Sequence, residues 1–243
     1  MKATLAAGLP KDPEHYAFEF KWDGVRALAF HSPQAFRLLS RNNLDATFRY
    51  PELARLGPAL AGRTAVLDGE IIAVDSHGNP SFPLLQKRMN VTTPTALARA
   101  AREVAVSYML FDLLYLDGED LRALPFTERR ARLDELAGLL PPACRLSPVR
   151  TGKNAGEKML QVARERKLEG VMAKCLDSLY ESGQRSHQWL KIKIVQRQEF
   201  VVGGWVPEVS QDGQIHSDRI GALLVGYHDH QGALRLAGAV GTG

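Results

Sequence analysis

Cysteine is scarce: the 243 residues hold only Cys144 and Cys175, neither in CxxC or HxxxH spacing. A disulfide scaffold and a Cys/His zinc site therefore find no support, and a reducing compartment is the default. No run reaches the roughly 18–20 apolar residues that cross a bilayer, so no membrane association is expected. No charged-then-apolar leader opens the chain, which points to the cytoplasm. Repeats and low-complexity tracts are missing. At 45% apolar and 24% charged residues, the composition excludes wholesale disorder and a fibrous chain. GxxxxGK[ST] is absent, so a P-loop is not supported, and without GxSxG there is no α/β-hydrolase elbow.

Cations are nearly missing from the end of the chain. Residues 199–243 hold 2 Lys+Arg against 5 Asp+Glu, a net of −3, whereas residues 1–198 hold 29 against 22, a net of +7. The sign change predicts two units, 1–197 and 198–243. A basic body is compatible with phosphate or nucleic-acid binding, though a solvated surface gives the same count.

Strand-like stretches dominate the first half. Tyr16 to Phe30 reads as two short strands around Asp23-Gly24, and Phe36–Ser40, Ala65–Val74 and Val104–Leu116 read as further strands. Helices are expected over Pro51–Leu60, Thr95–Arg102, Thr127–Leu140 and Ala155–Lys167. Strands return at Gly170–Lys174 and Trp189–Ile194. A helix-free meander occupies 200–206, 222–227 and 234–240. Three strands do not close a small barrel, so the chain is expected to stop inside its second domain.

Charged groups interrupt these strands in a pattern that suggests chemistry. At period two, Glu19, Lys21 and Asp23 share the face opposite Phe18, Phe20 and Trp22. Asp68 and Glu70 project together from Leu67-Asp68-Gly69-Glu70-Ile71-Ile72, where carboxylates are costly to bury unless paired or metal-bound. Asp112 and Glu169 sit in or beside apolar strands in the same way. In Trp189-Leu190-Lys191-Ile192-Lys193-Ile194, Trp189 and both lysines share one face, and the lysines repel unless an anion lies between them. A solvated edge explains each piece alone. Together they read as a basic nucleophile or phosphate site with separated carboxylates for a hard cation.

In this order and spacing the segments resemble the motifs of the covalent nucleotidyltransferases: DNA ligases, RNA ligases and mRNA capping enzymes. Lys21-Trp22-Asp23-Gly24-Val25-Arg26 matches K-x-D-G-x-R, and Ser40-Arg41-Asn42 is similar to the S-R-N of DNA ligases. Asp68-Gly69-Glu70 resembles the third motif and Phe111-Asp112 the aromatic-acid motif that holds adenine. Glu169-Gly170-Val171 with Lys174 resembles the fourth, and Trp189-Leu190-Lys191-Ile192-Lys193 the fifth. Arg49-Tyr50-Pro51-Glu52-Leu53 and Phe82 to Met89 are similar to bacterial ATP-dependent DNA ligases, above all the ligase domain of the end-joining ligase D group. Only 20 residues precede Lys21, short of the extra module of NAD-dependent ligases, which favours ATP.

The resemblance implies an α+β fold: an ATP-grasp-like adenylation domain of antiparallel sheets with flanking helices, then an incomplete all-β OB-fold. It implies that Lys21 attacks the α-phosphate of ATP, that AMP passes to the 5′-phosphate of a nick, and that the 3′-hydroxyl then displaces AMP. Neighbouring cations (Arg26, Lys191 and Lys193) would favour the neutral, nucleophilic amine. Glu19, Trp22, Arg26, Arg41, Glu70, Phe111, Val171, Lys191 and Lys193 would bind the nucleotide, with Phe111 and Val171 sandwiching adenine. Glu70 and Glu169 would hold Mg²⁺, with Mn²⁺ as a substitute. Arg41, Asn42 and Arg185 would contact DNA. The implied partners are nicked duplex DNA and Ku-type end-joining proteins, and the implied state is a monomer in a bacterial cytoplasm, at the nucleoid. Asn43 replaces a glycine that commonly follows S-R-N, and Cys175 replaces an arginine common after the fourth motif. The family's final motif is not found in Phe200 to Gly243, so the first step is expected to be impaired or to need another polypeptide. The other readings are an RNA ligase or capping-type enzyme, and a catalytically silent DNA-binding fragment.

Overall fold

The computed structural model describes residues 1–60, 62–89, 91, 93–195, 198–210 and 212–241. Two compact units divide the chain, Met1–Ile194 and Val195–Gly243. Residue 197, at the expected boundary, lies outside the described residues. The strands are β1 (Lys2–Ala6), β2 (Tyr16–Lys21), β3 (Val25–Ser32), β4 (Ala35–Ser40), β5 (Ala65–Ala73), β6 (Val106–Leu116), β7 (Glu119–Asp120), β8 (Cys144–Leu146), β9 (Val149–Thr151), β10 (Gly170–Cys175), β11 (Arg185–Lys193), β12 (Val201–Val209), β13 (Ile215–His228) and β14 (Leu234–Gly241). The helices are α1 (Leu56–Ala59), α2 (Phe82–Met89), α3 (Pro94–Glu103), α4 (Phe126–Glu135) and α5 (Ala155–Glu165).

Two sheets build the first unit. One has the order β1-β11-β10-β2-β9; the other runs β4-β3-β5-β6-β7, with β8 also on β6. The pairing is antiparallel except for β1 with β11 and β6 with β8, so the expected purely antiparallel character is modified at two places. Alternation explains the layers. Phe18, Val171, Ala173 and Ile192 turn to one side of the first sheet and bury against Ala155, Met159 and Ala163 of α5. Leu67, Ile71 and Ala73 of β5 face a larger core with Leu53, Leu56, Leu85 and Leu133. A third cluster joins Ala17 and Trp189 of the first sheet to Phe111 and Leu114 of the second.

Two local features set the geometry where the sheets meet. The strands read around Asp23-Gly24 do not pair with each other: β2 and β3 belong to different sheets, and Lys21 ends one while Val25 begins the other. At this crossing a Cβ on Gly24 would lie 2.2 Å from the Ile71 carbonyl oxygen, so only glycine fits. In β6 the pairing skips Phe111: Leu110 opposes Gly69 and Asp112 opposes Asp68. This bulge breaks the alternation, so Leu110 and Leu113 enter one core while Phe111 and Leu114 enter another.

The expected helix at 51–60 is a 3₁₀ turn, Pro51–Arg55, running into the short α1. The expected 127–140 helix ends at Glu135 and continues as a 3₁₀ turn, Ala137–Leu139. The second unit is the antiparallel meander β12-β13-β14, with β13 spanning 14 residues rather than the six expected.

Candidate active site

A cleft of about 240 Å³ opens between the two sheets. It gathers Glu19, Lys21 and Trp22 from β2 and the crossing, and Arg26 and Glu70 from β3 and β5. Arg41, Phe111, Arg185 and Lys191 complete the sequence-derived set that lines it. Glu169 and Lys193 stand at its edge through Lys21, whose Nζ ion-pairs with Glu169 Oε2 while Lys193 Nζ lies 2.9 Å from Glu169 Oε1. Burial opposes ionisation of Glu169, but the hydrogen bonds from Lys21 and Lys193 hold its carboxyl below the ordinary range. The partner at the Lys21 ammonium is thus a carboxylate, whereas the motifs lead one to expect neighbouring cations to dominate.

Arg26 is fixed rather than free. Its Nε and Nη2 donate to Asp68 Oδ1 and Oδ2 at 3.0 and 2.6 Å, its Nη1 donates to the Met1 carbonyl at 2.7 Å, and Tyr180 Oη donates to Asp68 Oδ2 at 2.7 Å. Asp68 is buried and fully engaged in this fork, so Glu70 alone of that strand pair is left for the cleft. No hydrogen bond or ion pair among the described residues reaches Glu70. Burial pushes its carboxyl up to about 8, against the opposing pull of Arg26 and Lys21. Lys191 is shifted the other way, its ammonium disfavoured by burial and then by Arg185, Lys193 and Lys21.

Phe111 meets the edge of Trp189 at 6.4 Å and has the Arg26 guanidinium 5.4 Å from its ring centroid. Trp22 Nε1 donates to Ser147 Oγ at 3.0 Å, and Arg185 Nη1 donates to the Ala3 carbonyl at 2.8 Å. Val171 is a correction. It opposes Phe20 and Ile192 and is buried on the α5 side, so it does not sandwich a base in the cleft. Its neighbour Met172, opposite Glu19 and Lys191, lines the cleft instead. Asn42 is exposed outside the cleft, in a turn where Asn43 adopts φ +63°, the left-handed conformation expected of a glycine substitute. Lys2, Met172, Lys174 and Trp189 also line the cleft, beyond the residues that sequence reasoning assigns to the site. For Lys174 and Trp189 the available signal is their period-two phase with Glu19 and Lys191; for Lys2 there is none.

Among the described residues no cluster of three or more His, Cys, Asp or Glu forms a closed metal cage. The donors fit a different use. Glu70 is a carboxyl group without a cation, and Glu169 faces the same nucleophile. Mg²⁺ is commonly held by one or two carboxylates, water and substrate phosphates rather than by an all-protein cage.

A cleft between two β-sheets, with a lysine at the seam and carboxylates on both walls, defines a covalent nucleotidyltransferase. Residues 2–193 match the model of the ATP dependent DNA ligase domain, and the chain belongs to that family. It is 39% identical over its whole length to the multifunctional non-homologous end joining DNA repair protein LigD of Mycobacterium tuberculosis, of which it spans 29%. The ligase domain of M. tuberculosis LigD has 37% identity and a TM-score of 0.68, covering 100% of this chain and 72% of that one. Mycobacterial DNA ligase D complexed with ATP and MES has 34% identity and a TM-score of 0.69, covering 99% and 72%. These matches bear out the α+β nucleotidyltransferase fold, and the meander is consistent with their OB-fold part. No described helix is long and apolar enough to cross a membrane.

Proposed function

We propose that this chain is the catalytic core of an ATP-dependent DNA ligase that seals nicked duplex DNA in end joining. The observation that carries this reading is Lys21 at the seam of the sheets, paired with Glu169 and sharing a cleft with Arg26, Glu70, Phe111 and Lys191.

The chemistry derives from these groups. Lys21 Nζ, once neutral, attacks the α-phosphorus of ATP; a P–N bond forms, the bond to pyrophosphate breaks, and AMP stays on the lysine. The carboxylate of Glu169 orients the amine and is placed to take its proton. Lys191, Arg185 and Arg41 supply positive charge for the phosphates. The 5′-phosphate of the nick then displaces lysine, and the 3′-hydroxyl displaces AMP. Glu70 and Glu169 are the residues that would hold Mg²⁺, which supplies Lewis-acid stabilisation of phosphoryl oxygens. Phe111 offers an apolar wall to adenine, and Arg41, Asn42 and Arg185 contacts to DNA. Ku-type partners, a monomeric state and a cytoplasmic, nucleoid-associated location belong to the same reading.

Intact mass after incubation with ATP and Mg²⁺ tests it. The expected result is one added AMP on the unaltered protein and none on Lys21→Ala. A nick already carrying 5′-AMP is offered in parallel. Labelling that persists in Lys21→Ala would remove the lysine from its role. No labelling together with no sealing of the activated nick, on folded protein, would replace the ligase by a DNA-binding fragment.

A further inference from the structure

Lys174 is 1% exposed, yet it stands on the cleft side of β10. Its ammonium lies 4.4 Å from the ring centroid of Phe111, 4.4 Å from that of Trp189 and 4.8 Å from that of Phe126. Rings so disposed favour a cation over a neutral amine. The ammonium donates to Glu19 Oε1 at 2.9 Å and to the Phe111 carbonyl at 3.3 Å. Glu19 is equally buried, and its Oε2 accepts no hydrogen bond among the described residues, although the side chain lines the cleft. One oxygen is thus tied to Lys174 and the other is left for a ligand.

The protonation state of that second oxygen decides what it recognises. Burial favours the neutral acid at Glu19; Lys174 is the foremost group opposing this, followed by Arg130 of α4, while Asp112 of β6 adds to the burial effect. An ionised carboxylate can only accept, whereas a neutral one can donate. A purine with a 6-amino group presents a donor at that position, and one with a 6-oxo group presents an acceptor.

We infer that Lys174 is a positioning residue that fixes Glu19 as a hydrogen-bond acceptor and thereby makes the cleft select 6-amino over 6-oxo purine nucleotides. The inference rests on the nucleotide reading given above. It assigns discrimination to a side chain sealed behind the cleft wall by three aromatic rings.

The test compares ATP with ITP on the whole chain, by titration calorimetry and by mass labelling of Lys21. The variants are Lys174→Met, Lys174→Arg and Glu19→Gln. The unaltered protein is expected to prefer ATP. Lys174→Met and Glu19→Gln should both reduce that preference by roughly tenfold or more, the scale of one buried hydrogen bond, by gaining use of ITP relative to ATP. Lys174→Arg should retain the preference. Should Lys174→Met lose its fold, Lys174→Gln carries the same expectation, since it keeps a donor to Glu19 without the charge. A parallel loss of both nucleotides with an unchanged ratio would reduce Lys174 to a structural residue and overturn the inference. Divergence of Lys174→Met from Glu19→Gln would overturn it as well. ATP binding without labelling of Lys21 would sink the transfer reading alone, because the binding ratio still judges Lys174. Binding of neither nucleotide would sink both.

Discussion

Glu70 holds a carboxyl group in the cleft without a cation beside it, and the stability of the protein should register this. Its value of about 8 lies above the ordinary 4.5, so the folded protein binds that proton more tightly than the unfolded chain does. The resulting stabilisation is complete below pH 4.5 and is lost as pH rises through about 8. Glu70→Gln, neutral at every pH, should match the unaltered protein at pH 5 and exceed it in stability at pH 9, by urea unfolding in chelator. Parallel pH profiles for the two proteins would contradict the assignment. At this scale, positions are more legible in sequence than charge relationships. Lys21, Arg26, Glu70 and Phe111 stand out from their place in strand-borne motifs. That Asp68 consumes Arg26 does not, because their pairing depends on the register of β3 on β5, with Leu28 opposite Asp68 and Arg26 opposite Glu70. The same ambiguity hides the buried Asp112–Arg129 fork, in which Arg129 Nε and Nη2 donate at 2.8 and 2.9 Å. In sequence, Arg129 reads as one more cation on an exposed helix.

Among the elements, the β2–β3 crossing yields its own prediction. Gly24→Ala places a methyl against the Ile71 carbonyl and should cost about 1–3 kcal/mol of stability, as overpacking does. It should also slow Lys21 labelling, since β3 must shift away from β5. Unchanged thermal midpoint and labelling rate would show that the crossing has slack. Strands and helices are legible where periodicity is clean and lost where it is not. β5, β10 and β11 announce themselves by alternation. α2 does not: it spans only eight residues, Phe82–Met89, with Pro83 at its start, and is anchored by the buried Arg88 bonded to Glu52 and to the carbonyls of Arg49 and Val104. An arginine that serves as a core residue gives no apolar stripe to read. β1 escapes a sequence reading because its pairing with β11 links residues 2–6 to 185–192, a contact no local window contains. Val171 departs from its expected place for want of phase. A motif names residues in a row, and only the pairing of β10 with β2 tells which of them face the cleft.

At the scale of the molecule, charge counting is only partly informative. The surplus of +7 over residues 1–198 includes Arg88, Arg129 and Lys174, all buried, and Arg26, which is paired. The surface available to a polyanion is therefore less basic than the count. The two-unit expectation rests on composition, whereas the division of the folded chain rests on contacts within each unit. The first unit carries three apolar clusters of its own and coincides with residues 2–193 of the family match. Met1–Ile194 produced alone should therefore unfold in one cooperative transition, near the midpoint of the whole chain, and still bind ATP. Calorimetry of the two proteins checks this; a fragment that melts without a heat peak would mean that the first unit depends on the second.

The placement of the tryptophans has a practical consequence. There are three in the chain. Trp22 lines the cleft with its indole tied to Ser147, Trp189 lies beneath it with its indole tied to Ser178, and Trp205 is exposed on the second unit. The protein thus carries a built-in optical reporter. With Trp205 changed to phenylalanine, intrinsic tryptophan emission would arise only from the two indoles at the nucleotide cleft. Occupancy of Lys21 could then be followed in real time, without a label and without DNA.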